Sequence, residues 1–358
     1  MQTIDVNLKN NSHTIFIGQN ISSDLSSIIN SDKYDDIFLL TQQSIKDKYS
    51  HHALLNSGFK EVIIEDSENA KNLKNIDQII VHLLEKNCSR NSLIIGFGGG
   101  VTTDITGFIA SIFMRGIDHV LIPTTLLAMV DASIGGKTGV NSNKGKNLIG
   151  TFKQPNAIII DPVFLKTLNK GHIINGFAEI IKYGLVFDKN IYKWIKENFN
   201  NLIDLQDLSE LEKIIYNSCT YKKNIIVEDE FDNNKRMLLN FGHTIGHALE
   251  SYYQYKNIDH GSAVYYGMIS ASYISWKLDY LSEVEYRDIY SFINTIPKAK
   301  LDNINVDELK NQLIYDKKRM GNKNNFILLN NIGNAIIKNN IPESIIDESL
   351  KLLINLKS

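Results

Sequence analysis

Cysteine and proline are scarce, with 2 and 5 respectively in 358 residues. Cys88 and Cys219 stand far apart and share no C-x-x-C spacing. That excludes a disulfide framework and predicts reduced thiols in a cytoplasmic protein. Charge of one sign is also lacking: 38 Lys and Arg face 40 Asp and Glu, for a net −2. No nucleic acid and no membrane surface is therefore implied as a partner. A membrane-spanning run is missing too, because Asp104 and a scatter of threonines and glycines interrupt the most apolar stretch, residues 93–114. The first residues lack a basic segment leading into an apolar run, so no signal peptide is expected. Heptads, long repeats and Pro/Gly/Ser-rich linkers are absent. What remains is an ordinary globular composition at a length that predicts about two domains.

The first half alternates short apolar runs with amphipathic stretches. Residues 3–8 and 14–18 read as two strands around a polar turn. Buried-strand patterns follow at 37–41, 62–64, 93–96, 119–122 and 157–161, with helical periods at 44–56 and 76–84. Such alternation predicts an α/β domain with a parallel, Rossmann-like sheet. Past Pro162 it ceases, and helices are expected at 173–185, 191–199, 208–227, 237–253, 263–278, 283–293, 306–318 and 345–356, with one small hairpin around 330–334. The expected division is an α/β domain over residues 1–170 and a helical domain over 171–358.

Several stretches carry chemistry. Leu93-Ile94-Ile95-Gly96 runs through Phe97-Gly98-Gly99-Gly100 into a helix, an arrangement that points backbone N–H groups at a phosphate. Val101 occupies the third glycine's place of G-x-G-x-x-G, so the fingerprint is incomplete. Gly136-Lys137-Thr138 resembles the end of a P-loop, but Asp131 stands where that loop needs its first glycine. With Lys144, Lys146 and Asn147, Lys137 still makes a basic, glycine-rich loop suited to an anion. Glu179 and Lys182 fall three apart on a helix whose other side chains are nearly all apolar, and a buried carboxylate calls for a cation or a metal. Residues 240–250, read as one helix, put Asn240, His243, His247 and Glu250 on one side and an apolar stripe on the other. One carboxylate with two or three imidazoles, His260 included, is a ligand set for zinc with an open position. Spacing alone selects His243 and His247 as its histidines.

Taken together, these stretches resemble the 3-dehydroquinate synthases of the sugar-phosphate cyclase family. The likeness rests on Gly98-Gly99-Gly100-Val101-x-x-Asp104, Arg115-Gly116, Pro123-Thr124-Thr125-Leu126-Leu127, Asp131-Ala132-Ser133-x-Gly135-Gly136-Lys137-Thr138, Lys146-Asn147, Ala178-Glu179-x-x-Lys182, Asn240-Phe241-Gly242-His243-Thr244-x-Gly246-His247 and His260-Gly261, in the family's order and spacing.

The resemblance implies NAD and a divalent metal, zinc or cobalt, as cofactors, with the active site in a cleft between the domains. It implies metal ligands Glu179, His243 and His260, which displaces His247 to the substrate's phosphate. Catalytic roles are implied for Lys137, Asn147, Lys182, His247, Arg115 and Asp131. Substrate binding is implied for Lys222, Arg236, Asn240 and a lysine of Lys317 and Lys318. NAD contacts would fall on Asp66, Ser67, Glu68, Asn69, Ala70 and Lys71; on Gly100, Val101, Thr102, Thr103 and Asp104; on Thr124, Thr125, Lys137 and Lys146; and on Phe164, Leu165, Lys166 and Thr167. Arg115 would reach a neighbouring subunit's phosphate site, which implies a homodimer.

The implied reaction converts 3-deoxy-D-arabino-heptulosonate 7-phosphate to 3-dehydroquinate and phosphate, in the shikimate pathway to aromatic amino acids. Its course would be transient oxidation by NAD, phosphate elimination, re-reduction and intramolecular aldol closure. Lys222, Arg236 and Asn240 together favour a substrate with a carboxylate over the carboxylate-free substrates of other cyclases. The Lys137-Asn147-His247 set disfavours a polyol dehydrogenase of the iron-type group. Three departures from the family pattern stand out: Ser67 where glycine is usual, Gly171-His172 in place of an Arg-Glu pair, and Asp232 in place of a glutamate.

Overall fold

The computed structural model describes residues 1–9, 11–302, 304–319 and 325–354, without the side chains of 314–319 and 354. The chain forms two compact units, one of Met1–Asn169 with Asp207–Phe231, the other of Lys170–Gln206 with Asp232–Ser358.

The first unit holds β1 (Gln2–Val6), β2 (His13–Ile17), β3 (Ile37–Gln42), β4 (Lys60–Ile64), β5 (Leu93–Gly98), β6 (Asp118–Pro123), β7 (Lys137–Ser142), β8 (Gly145–Phe152) and β9 (Ala157–Ile160). Among them run α1 (Gln43–Lys48), α2 (Leu73–Glu85) and α3 (Gly100–Ile112). Seven strands form one sheet in the order β1-β2-β9-β6-β5-β3-β4, antiparallel at β1/β2 and parallel elsewhere. Every residue of β5 and β9 is buried. That is why those strands read as unbroken apolar runs, covered on both faces. From β3 the chain moves outward to β4, then returns to β5 and continues the other way to β6. The β3/β5 junction is thus the topological switch point, the place where open parallel sheets bind ligands beyond the carboxyl ends of their strands.

Two sequence expectations change here. The basic glycine-rich stretch after Gly136 is not an open loop but the antiparallel hairpin β7/β8. Its strands approach closely at Gly139 and Gly150, where a Cβ on Gly150 would lie 2.2 Å from the Thr138 carbonyl. In addition, the helix of residues 208–228, expected with the helical half, packs in the first unit. Its Cys219 thiol donates to the Met129 carbonyl at 3.5 Å, and its Lys222 pairs with Asp131.

The second unit contains α4 (Lys170–Phe187) and α5 (Lys189–Ile203); α6 (Leu208–Glu228) is the helix just assigned to the first unit. After it come α7 (His243–Tyr252), α8 (His260–Lys277), α9 (Glu283–Thr295), α10 (Val306–Arg319), the hairpin β10 (Phe326–Asn331)/β11 (Asn334–Lys338) and α11 (Glu343–Ile354). The continuous helix expected over 237–253 is broken. Residues 235–240 form a 3-10 turn, and Gly242 then takes φ 80°, a left-handed conformation that suits glycine. The cause is tertiary: a Cβ on Gly242 would stand 2.8 Å from Met268, and one on Gly267 only 1.8 Å from the Gly242 carbonyl. Helices α7 and α8 therefore meet backbone to backbone at these glycines. Among the described residues no helix is long and apolar enough to cross a membrane.

Candidate active site

In the second unit, Glu179, His243 and His260 converge. Glu179 lies mid-way along α4, where its neighbours are buried and its own side chain has no exposure. The break at Gly242 starts α7 at His243, and Asp259 caps α8 so that it starts at His260. Asn175, one turn before Glu179, accepts the Gly261 N–H at 2.5 Å, and the Tyr265 hydroxyl donates to the Ile174 carbonyl at 2.9 Å. These bonds pin the start of α8 beside Glu179. Nε2 of His243 and Nε2 of His260 each lie 3.4 Å from Glu179 Oε1. One ligand atom from each of the three falls within 4.8 Å of the others.

The surroundings fix the ring orientations. His243 Nδ1 lies 3.2 Å from the Phe241 carbonyl, and His260 Nδ1 lies 3.5 Å from Glu250 Oε1. Each histidine so presents Nε2 to the centre, the outer-partner arrangement typical of metal-bound imidazoles. Burial opposes ionisation of Glu179, but the Lys182 ammonium and the two imidazoles prevail and hold the carboxyl well below its usual range. Lys182, itself 1% exposed, pairs directly with Glu179. Burial likewise opposes the charged form of His260, yet bonds to Glu179 and Glu250 lift it to about 10.

His247 stands apart from this trio. Its ring meets that of His243 edge-on at 5.3 Å, and solvent reaches it. The protein packed around it, followed by His243, still pushes its imidazole down to about 4. Arg236 is buried and Asn240 half-buried, both on the 3-10 turn before α7. The side chains of Lys317 and Lys318 lie outside the described residues.

In the first unit the expected cofactor residues other than Lys137 and Lys146 follow the carboxyl ends of four parallel strands. Residues 66–71 come after β4, 100–104 after β5, 124–125 after β6 and 164–167 after β9. Space at the glycine turn is limited: a Cβ on Gly99 would lie 3.1 Å from Thr125, and one on Gly100 3.6 Å from Ala132. Ser44 donates its backbone N–H to Asp66 at 3.1 Å. Lys71 Nζ donates to Asp104 Oδ2 and to Asn147 Oδ1, both at 2.6 Å. Burial pushes the Asp104 carboxyl up, against the pull of Lys71. Phe164 packs edge-on against Tyr49, whose hydroxyl donates to the Phe164 carbonyl at 3.0 Å. The Lys222 ammonium is buried, pairs with the Asp131 carboxylate and donates to the Asp131 carbonyl at 2.7 Å. Lys137 is exposed and Lys146 half-exposed on the β7/β8 hairpin. Arg115 is exposed beyond α3, where it and Met114 both take positive φ, 66° and 48°.

Sequence reasoning missed Asn141, Asn175 and the contact of Glu250 with His260. Asn141 and Asn175 carry no periodic or motif signal. Glu250 was visible on the polar side of α7, but its partner lies on another helix.

Similar solved folds include 2-deoxy-scyllo-inosose synthase complexed with carbaglucose-6-phosphate, NAD+ and Co2+, with a TM-score of 0.88 at 23% identity over 98% of this chain and 99% of that one. Another is 2-epi-5-epi-valiolone synthase from Streptomyces hygroscopicus subsp. jinggangensis with NAD+ and Zn2+ bound, with a TM-score of 0.85 at 25% identity over 97% and 98%. An iron containing alcohol dehydrogenase is more distant, with a TM-score of 0.66 at 13% identity over 96% and 98%. The architecture is therefore that of the sugar-phosphate cyclases. At the level of sequence, family models described as 3-dehydroquinate synthase N-terminal and C-terminal match residues 61–175 and 176–319. Curated 3-dehydroquinate synthases from Alkaliphilus metalliredigens and Clostridium acetobutylicum are each 40% identical, over 93% of this chain and 94% and 95% of their own lengths. The chain belongs to the 3-dehydroquinate synthase family.

Proposed function

We propose that this enzyme converts 3-deoxy-D-arabino-heptulosonate 7-phosphate to 3-dehydroquinate and inorganic phosphate. The convergence of Glu179, His243 and His260 carries the reading, supported by full-length relatives that bear this activity's name. One anionic carboxylate and two imidazoles with aligned Nε2 atoms fit zinc or cobalt and leave positions open for substrate oxygens. The glycine turn at the switch point, with the amino end of α3 behind it, fits the pyrophosphate of NAD. When bound, the metal would polarise the substrate's hydroxyls and NAD would supply their reversible oxidation.

The chain's own residues then bind, orient and balance charge. Lys182 neutralises Glu179 and keeps it ionised. Asp131 fixes the Lys222 ammonium, and Lys222, Arg236 and Asn240 hold the substrate carboxylate, joined by Lys317 or Lys318. Lys137, Asn147 and His247 position the leaving phosphate so that it can take up the proton released with it. Residues 66–71, 100–104, 124–125 and 164–167 and Lys146 hold NAD. We read Arg115 as reaching the phosphate site of a second copy in a homodimer. Its exposed turn, flanked by exposed Ile112 and Met114, supports that reading. Two buried free thiols support a cytoplasmic setting.

The test is phosphate release from the heptulosonate phosphate, with and without NAD+ and after chelation. Release that needs both cofactors is expected. Release indifferent to both, from protein verified free of bound NAD and metal, would overturn the reading.

A further inference from the structure

Asn141 has no role of its own in the proposed reaction, yet it joins two sets of residues that the reaction needs together. It falls on β7 where the hairpin's register slips: Val140 pairs with Ile149, but Ser142 pairs with Gly145. Such a bulge re-aims a side chain and frees backbone groups from the ladder. Here the freed N–H of Asn141 donates to the Lys71 carbonyl at 2.6 Å, and Asn72 and Asn141 form an isolated parallel bridge. Its amide nitrogen donates to Glu68 Oε1 at 2.8 Å. Its amide oxygen accepts the Asn147 N–H at 2.9 Å. That N–H belongs to a residue with φ 53°, a left-handed conformation that its own side chain must tolerate. The side chain of Asn147 in turn accepts from Lys71 Nζ, which also bonds Asp104.

Asparagine suits this position because a single amide supplies one donor and one acceptor at fixed spacing. Aspartate would set a carboxylate against Glu68. Leucine would match the volume and make neither bond.

The geometry points to Asn141 as a positioning residue that couples the nucleotide-side segment 68–71 to the start of β8, which carries Asn147. This rests on the proposed roles of Glu68 and Lys71 toward NAD and of Asn147 toward the substrate phosphate. Because one amide holds both segments, loosening it weakens NAD and the phosphate substrate together, without touching the metal ligands.

The test measures equilibrium binding of NAD+ by titration calorimetry on the full chain stripped of nucleotide. N141D is expected to bind NAD+ about five- to tenfold more weakly, the loss typical of a severed hydrogen bond with a repelling partner. E68Q keeps an acceptor for Asn141 and sets the baseline. In N141D/E68Q the donor and acceptor are exchanged across the same contact, and affinity is expected to return to within about twofold of E68Q. The same swap should restore KM for the phosphate substrate, while metal content stays constant throughout. An N141D protein that binds NAD+ like the wild type, or a loss that the exchange does not recover, overturns the inference. A wild-type protein that binds no NAD+ overturns the proposed site as well, which separates the two failures.

Discussion

The two units hold their polar groups in opposite ways. In the helical unit, Glu179 and Lys182 are sealed from solvent, and both histidines sit at the first residue of a helix whose start is fixed by a glycine break or an aspartate cap. In the sheet unit, the corresponding groups are spread over the segment after β4, the start of α3 and the β7/β8 hairpin and reach one another through hydrogen bonds, with Glu68 and Asn147 open to solvent. The first arrangement suits a cation that demands fixed geometry. The second suits a long flexible ligand gripped at many weak points. Damage should therefore be abrupt in one unit and graded in the other.

The largest effect is expected from His260→Ala. Loss of one of three ligands should abolish tight metal binding and reduce turnover by at least about a thousandfold, an order consistent with losing a metal's charge stabilisation. Metal analysis after gel filtration checks the first, and unchanged metal content would remove His260 from the ligand set. Next comes Lys182→Met, which leaves Glu179 ionised and buried without its ammonium. A cost of about 3–5 kcal/mol in folding stability is expected by denaturant titration of metal-free protein. A change below about 1 kcal/mol would show that the pair is not sealed.

Acid should weaken the sheet unit through two buried histidines. Burial pushes the imidazoles of His13 and His119 down to about 4 and about 3, both below the ordinary 6.5. The unfolded chain then binds more protons than the folded one below pH 6.5. Stability should be full above that pH and fall by several kcal/mol as pH drops toward 4. Thermal melting of His119→Gln against the wild type across pH 7 to 4.5 checks this, and parallel curves would reject it. The smallest effect is expected from Asp204→Ala, which breaks the exposed pair with Lys170. It should change stability by less than about 0.5 kcal/mol.

How much of this was legible depended on whether the deciding contact was local. The parallel sheet announced itself because β5 and β9 are buried on both faces and carry no polar residue to hide. Glu179 and Lys182 were conspicuous because two opposite charges, one helical turn apart, interrupt a nearly apolar stretch of helix. The break at Gly242 was hidden, since its cause is the approach of Gly267, 25 positions later in the chain. Residues 237–253 keep a helical period in spite of it. The β7/β8 hairpin escaped notice because its strands are rich in glycine and small polar residues, without the apolar-polar alternation that marks a half-buried strand. The amphipathic pattern of α6 announced a helix but could not name the surface it covers.

That last helix has a consequence for how such a chain can be taken apart. The polypeptide leaves the first unit at residue 169, returns at 207 and leaves again at 231. The units are thus threaded three times, and no single cut separates them. A fragment ending at residue 170 would lack α6, and with it the cover for Met129 and the partner of Asp131. Recombination that exchanges one half of the protein for a relative's half at that point would transplant α6 with the wrong half. A chimaera that respects the folding units needs three junctions, and the two flanking α6 matter as much as the obvious one.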